Sequence, residues 1–351
     1  ALLRDLIAEG TRIVASAYTA TTSAADILSQ ADRVLLDLHG EDDRRGLVST
    51  HQRTSALMAE LEWRVAHKGQ LTGVPSGFSS VDDLTGGWQA GDLVIIAARP
   101  SIGKSALVFN TALASARGGK SVAAFSLEMR RWQLDFRLLA TLSGVLLGRI
   151  MRGYLTDEEY VKLSDAQALL DGLPLAISDH GHQTVEDVRM ACRRLTHAGP
   201  LDLVIIDYVQ LMSGSLERRG ATRNEELADM SRRLKMLSDE LSVPIILVSQ
   251  LNRGGEARAD RRPTLSDLRD SGALEQDADI VAFLHRADHR QGGLTSFIVE
   301  KQRNGPTGTV NLMFDRETTT FTDAGEALLP PPAPEPAPRQ RRFFPRQVQR
   351  A

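Results

Sequence analysis

Between Leu93 and Val248 the chain repeatedly sets a short, unbroken apolar run beside a helical stretch, and this alternation constrains the fold most. Leu93–Ala98 is a β-rich run, followed by a helical stretch over Lys104–Arg117. Ser121–Ser126, Leu201–Ile206 and Ile245–Val248 are runs of the same kind. Between the last two, Leu227, Met230, Leu234, Leu237 and Leu241 recur at helical spacing. Strands that are apolar at every position need cover on both faces, which helices packed on a parallel sheet supply. Ser296–Val299 and Thr309–Phe314, split by Asn304-Gly305, predict a closing hairpin. The expected class is α/β with a mainly parallel central sheet.

The flanks have a different texture. Leu3, Leu6, Ile7, Ile13 and Val14 form one helical stripe, and Ile27, Leu28, Ala31, Leu35 and Leu38 another. Thr19–Ser23 separates them, with Ser23 as an N-cap, so residues 1–40 predict a helical hairpin. It is too short of core to stand alone. Residues 41–72 read as a linker: polar Gly40–Gly46, then an amphipathic helix with Leu57, Met58, Leu61 and Val65 on one face. That face suits either docking on another surface or a solvated connector. Seven of the 14 prolines lie between Pro330 and Pro345, and Arg339–Arg350 is basic, so residues 324–351 predict a disordered tail. The start at Ala1, without methionine and within a charged helical stretch, reads as a segment that begins partway through a longer protein.

Composition excludes several classes. The single cysteine, Cys192, rules out an internal disulfide or a cysteine-based zinc site and fits a reducing compartment. The apolar runs are too short to span a bilayer, so no membrane partner is expected. With 42 Lys+Arg against 45 Asp+Glu there is no bulk attraction for polyanions. Nucleic-acid binding must be local or built by assembling subunits.

The strongest chemical signal is Ala98-Arg99-Pro100-Ser101-Ile102-Gly103-Lys104-Ser105, between a β-run and a helix that continues through Ala106. A phosphate-binding loop needs backbone N–H groups at a helix N-terminus, a lysine for the β/γ-phosphates and a hydroxyl for Mg²⁺. Gly103-Lys104-Ser105 supplies these in order, although Ala98 stands where the general pattern has its first glycine. Leu203-Val-Ile-Ile-Asp207 ends an apolar run in an acid suited to a Mg²⁺ shell. Ser126-Leu-Glu128 places a second carboxylate after another run, either to polarise an attacking water or simply to favour the start of a helix over Met129–Leu139. Gln250, after Ile245–Val248, suits a γ-phosphate sensor or a polar strand end. Asp267–Asp279, with Arg269, Asp270 and Gly272, reads on composition as a solvated loop, with Arg269 able to pair with phosphate. Lys301 and Arg303 precede a tight turn, as trans-acting cations or plain surface charges.

Taken together, Gly73–Thr322 closely resembles the ATPase domain of DnaB-type replicative DNA helicases, a hexameric branch of the RecA-like proteins. The resemblance runs through Ala98–Ser105, Phe125–Met129, Ile206–Leu211, Ser249–Arg253, Asp267–Gly272 and Lys301–Gly305. It implies a RecA-like ATPase domain over residues 73–323, preceded by the hairpin and linker helix. It implies ATP and Mg²⁺ as ligands. Ala98 then fits the family pattern, and residues 98–106 form the nucleotide loop. Lys104 becomes the phosphate lysine, Ser105 and Asp207 the Mg²⁺ ligands, and Glu128 the catalytic glutamate. Gln250 becomes the sensor, and Arg303 with Lys301 the finger supplied to a neighbouring subunit. Arg269, Asp270 and Gly272 would line a ring's pore and grip single-stranded DNA.

The resemblance further implies a homo-hexamer, primase and helicase-loader partners, a linker helix docked on the adjacent subunit, and a cytoplasmic, nucleoid-associated location. Residues 1–40 resemble only the last hairpin of the family's N-terminal domain, which leaves the primase contact in doubt. A recombinase or RadA-type repair ATPase fits less well, since the latter needs a zinc module and this chain has one cysteine. A nucleotide-gated scaffold without unwinding is the rival from another class.

Overall fold

The computed structural model describes residues 2–19, 50–181, 183–213, 222–251, 262–286 and 292–325. Residues up to Gln70 and those from Leu71 onward are separate units. In the first, α1 spans Leu2–Thr19 and α2 spans Thr50–Ala66. Leu57, Met58, Leu61 and Val65 of α2 are all exposed. The second helix of the hairpin, its Ser23 cap, the Gly40–Gly46 linker and the Pro/Arg-rich tail from residue 326 lie outside the described residues. Among the described residues no helix is long and apolar enough to cross a membrane.

The second unit opens with α3 (Ser79–Thr85), β1 (Leu93–Ala98), α4 (Lys104–Arg117) and β2 (Val122–Ser126). Next come α5 (Arg131–Ser143), α6 (Leu147–Arg152), α7 (Asp157–Asp171), β3 (Leu175–Ser178), α8 (Val185–Ala198) and β4 (Leu203–Asp207). The chain continues through α9 (Arg223–Leu241), β5 (Ile245–Gln250), α10 (Gly272–Asp277) and β6 (Ile280–His285). It closes with β7 (Gly293–Gln302), β8 (Gly308–Asp315) and β9 (Thr320–Asp323). The nine strands form one sheet in the order β3-β2-β4-β5-β1-β6-β7-β8-β9. The strands from β3 to β6 are parallel neighbours; β6 to β9 run antiparallel.

The apolar runs become central strands because both faces are covered. Successive side chains of β1 point to opposite faces. Val94, Ile96 and Ala98 enter a core shared with Leu107 and Leu113 of α4, while Leu93, Ile95 and Ala97 enter one shared with Leu234 and Leu237 of α9. The hairpin expected around Asn304-Gly305 forms between β7 and β8. Some expected bounds shift: Leu201 precedes β4, and the helix expected over Met129–Leu139 starts later, at Arg131.

At the N-terminal end of β1, Asp92 lies close to the buried carboxylate of Asp279. Burial and that neighbour push Asp92 up to about 6, against the pull of Lys235 and Arg303. A folded value above the unfolded one means the proton favours the fold. The contribution is full below the unfolded value and is lost as pH rises through about 6. Asp92→Asn should therefore raise the Tm at pH 8 by about 3 °C, from ~1 kcal/mol after allowing for solvent screening of a half-buried group. The gain should vanish below pH 4, as measured by thermal melts across pH.

Candidate functional site

Parallel strands bring their carboxyl ends to one edge, where α/β sheets place ligand sites. Ala98 is in register with Gln250, and Ser126 with Asp207, so the ends of β1, β5, β2 and β4 stand side by side. Between β1 and α4 the loop needs unusual backbone angles, with Ser101 at φ 65° and Gly103 at φ 113°. Glycine suits position 103, because φ 113° is a conformation that side chains rarely adopt and a Cβ there would crowd the Phe321 ring at 3.1 Å. Phe321 stacks on Phe314 with centroids 4.4 Å apart, which makes an aromatic floor beneath the loop. Buried Arg286 holds the same loop, donating from Nη2 to the Ile102 carbonyl at 2.9 Å and from Nη1 to Thr295 Oγ1 at 2.8 Å. The N-terminal turn of α4 presents backbone N–H groups that no earlier turn can accept.

A cleft of about 490 Å³ opens over this loop. Gly103, Lys104, Ser105, Glu128 and Gln250 line it, as do Pro100, Ser101 and Ala106. Among the other expected loop residues, Ala98 and Ile102 are buried, and Arg99 is half-buried beyond the strand end. Lys104 is buried, and desolvation lowers its pKa against the opposing pull of Asp207 and Glu128. Its ammonium lies 5.7 Å from the centroid of the Tyr208 ring.

Asp207 is completely buried, and burial pushes it up to about 6 despite the nearby Ser105 hydroxyl and Lys104 cation. Neither of its oxygens accepts a hydrogen bond of ordinary geometry. Asp207 does not itself line the cleft, but an orphaned carboxylate buried beside the Ser105 hydroxyl, which does, fits a hard cation with oxygen ligands. No group of three or more His, Cys, Asp or Glu side chains suited to a metal occurs among the described residues. Such a cation would therefore take most of its ligands from phosphates and water.

Glu128 is exposed toward the cleft and sits before the first turn of α5, so the helix-start reading of this carboxylate does not hold. Arg137, on α5, also lines the cleft; burial lowers its pKa, while Glu128 and Asp207 raise it. Sequence spacing gave no sign of it, because only the fold of α5 against the sheet brings it to these carboxylates. Phe314, Arg316 and Thr319 enter the same cleft from the far end of the chain, another contribution without local signature. At Gln250 the backbone N–H donates to Gln210 Oε1 at 3.3 Å, while Gln210 Nε2 donates to Ser249 Oγ at 2.9 Å.

Two expected groups lie elsewhere. Lys301 and Arg303 do not line this cleft; they rest on the C-terminal end of α10. Lys301 Nζ donates to the Glu275 carbonyl at 2.5 Å, and Arg303 Nη2 to the Gln276 carbonyl at 2.8 Å. The segment read as a solvated loop is helical instead, with a 3-10 turn over Leu265–Ser271 running into α10. Leu268 and Leu274, both buried, anchor it in the core; six residues apart, they form no helical repeat that the sequence could show. Arg269 and Asp270 fall on the 3-10 turn. Gly272 has a helical φ of −54° and open space at its Cβ, so neither close approach nor backbone angle demands glycine.

Residues 73–323 match the family model described as the DnaB-like helicase C-terminal domain. The chain is 38% identical over 328 residues to the replicative DNA helicase DnaC of Bacillus subtilis, covering 92% of this chain and 72% of that one. Among solved structures it resembles the ATPase domain of G40P (TM-score 0.75, 35% identity, 80% of this chain and 100% of that one). It also resembles a DnaB-like replicative helicase described with its primase interactions (TM-score 0.79, 32% identity, 92% of this chain and 76% of that one).

Proposed function

This chain belongs to the DnaB-like replicative DNA helicase family, and from that premise we propose that it couples ATP hydrolysis in this cleft to movement along single-stranded DNA and duplex unwinding. The observation that carries the reading is the convergence of buried Lys104, Glu128 and Gln250 on one glycine-bearing loop, with the orphaned carboxylate of Asp207 buried next to Ser105 at the end of β4. The α4 N–H groups and Lys104 bind the β- and γ-phosphates, and Arg137 adds a second cation at the phosphate end. Ser105 and Asp207 would hold Mg²⁺, which would supply neutralising charge for the phosphate oxygens. Glu128 orients the attacking water and accepts its proton. Gln250 contacts the γ-phosphate and, through Gln210, links its presence to the ends of β4 and β5.

Because Lys301 and Arg303 stand away from their own subunit's cleft, they serve the nucleotide of the next subunit in a homo-hexameric ring. Arg269, Asp270 and Gly272 face the single strand in the pore. Near-balanced charge fits contacts that are few per subunit and multiplied by assembly. Primase is the protein partner that the DnaB-like neighbour described with its primase interactions supports, a helicase loader is a second that the family resemblance implies, and the exposed stripe of α2 docks on an adjacent subunit.

Strand displacement on a forked DNA tests the reading directly. ATP-dependent displacement is expected from the wild type and none from Lys104→Ala. ATP turnover stimulated by DNA without displacement would overturn unwinding in favour of a nucleotide-gated scaffold. Mixing Arg303→Ala with Lys104→Ala chains should restore part of the ATPase, since an intact site then forms between complementary subunits.

A further inference from the structure

Asp279 is only 5% exposed, yet it carries no part of the cleft. Its Oδ2 accepts from the Leu93 N–H at 2.9 Å and from Lys235 Nζ at 3.0 Å; its Oδ1 accepts from Arg303 Nη1 at 3.1 Å. The Asp279 carbonyl also accepts the Arg303 N–H at 2.9 Å, so Arg303 is tied to this residue by main chain and side chain. The second guanidinium arm of Arg303 and the Lys301 ammonium end on the Gln276 and Glu275 carbonyls, at the negative end of α10.

We propose that Asp279 is a positioning residue for the trans-acting cations: its carboxylate and the carbonyl end of α10 hold Lys301 and Arg303 as a preset fork. This rests on the reading that these cations serve a neighbour's nucleotide. A long arginine side chain loses rotamer freedom when it binds, and a cation already aimed by a buried acceptor loses less. The clamp also fixes which element carries the fork. α10 follows directly on the turn that bears Arg269 and Asp270, so the fork and that turn are borne on one short helical segment. The charges that also act on this clamp include Asp92, Asp239, Glu275 and Asp277.

Asp279→Asn separates the roles of the two oxygens. Two donors meet at Oδ2, so the amide oxygen belongs there, and the new NH₂ then faces the Arg303 guanidinium, donor against donor. Leu93 and Lys235 keep their acceptor while the fork loses its own. DNA-stimulated kcat should fall about tenfold, the scale of a lost charge-assisted hydrogen bond at a reacting phosphate, with KM for ATP unchanged. The double variant Asp279→Asn/Arg303→Ala should be no slower than Arg303→Ala alone. Asp279→Asn chains mixed with Lys104→Ala chains should regain turnover, because the defect lies in the fork and the cleft of the same chain is sound.

Lys235→Met, which touches the same carboxylate from the other side, should lower the Tm and leave kcat alone. Wild-type turnover in Asp279→Asn beside a slow Arg303→Ala would overturn this proposal and leave the trans reading standing. A further fall in the double variant, no recovery in the mixture, or an equal slowing by Lys235→Met would also overturn it, as the marks of general destabilisation. Wild-type turnover in Arg303→Ala would overturn the trans reading and this proposal with it.

Discussion

Glu128→Gln is expected to lower ATP turnover by ~10²–10⁴-fold while nucleotide affinity stays within about twofold, because it removes a proton acceptor and nothing else. Glutamine keeps the volume and hydrogen-bonding reach of glutamate, and the side chain stands at the exposed mouth of the cleft, so no packing is lost. Its effect on the bound phosphates is also small. Lys104 and Arg137 face both Glu128 and Asp207, so one carboxylate still balances them after the change. Single-turnover phosphate release, read beside titration with a fluorescent ATP analogue, separates chemistry from binding. Turnover near the wild-type rate would move the general-base role away from Glu128.

The second large effect concerns Lys104, and its expected signature is split. Lys104→Ala should weaken ATP binding by ~10²-fold or more and bring turnover to background, as expected for loss of a desolvated charge on phosphate. Yet the ligand-free protein should melt at or above the wild-type temperature. Burial already disfavours the Lys104 ammonium, which is the meaning of its lowered pKa. The residue is thus kept at some cost to the empty fold and recovers that cost only when phosphate arrives. The measurement is the rise in Tm on adding ATP, large for the wild type and absent for Lys104→Ala. A preserved ATP-induced shift would place the nucleotide elsewhere.

Central strands were the most legible part of the chain. Leu93–Ala98 and Ile245–Val248 are apolar at every position, and such a run buried on both faces has few alternatives. Less visible were α7 and α8, although each begins with a written cap. Thr156 and Glu159, and Thr184 and Asp187, exchange side-chain and backbone bonds in capping boxes, a three-residue spacing open to reading in sequence. Strand β6 sits between β1 and β7; its apolar run Ile280–Leu284 follows directly on the acidic segment Glu275–Asp279, whose composition masks it in the sequence.

In the cleft, local signatures carried Lys104, Ser105, Glu128, Asp207 and Gln250, since strand ends and a helix start place them by short-range geometry. Arg137, Arg286 and Phe321 carry no such mark. Each arrives through tertiary packing, and a lone arginine in a helix reads the same whether it faces solvent or phosphate. Arg269 to Gly272 misled in the opposite direction. Four polar or small residues suggested an open loop, but the buried neighbours Leu268 and Leu274 decide the backbone.

The aromatic floor beneath Gly103 has a consequence for how a subunit is made. Phe321 reaches back across the chain, its N–H donating to Asn110 Oδ1 over 211 residues. A growing polypeptide therefore presents Lys104, Glu128, Asp207 and Gln250 to the cell well before the strand that backs their loop has been translated. Until β9 arrives, the strained turn at Ser101 and Gly103 is held by Arg286 without the Phe321 ring beneath it, and contacts of such long sequence separation form late. Competence to capture nucleotide is thus among the last properties a new subunit acquires, and chains released before Phe321 carry the whole set of nucleotide-contacting residues without the floor that makes them a site.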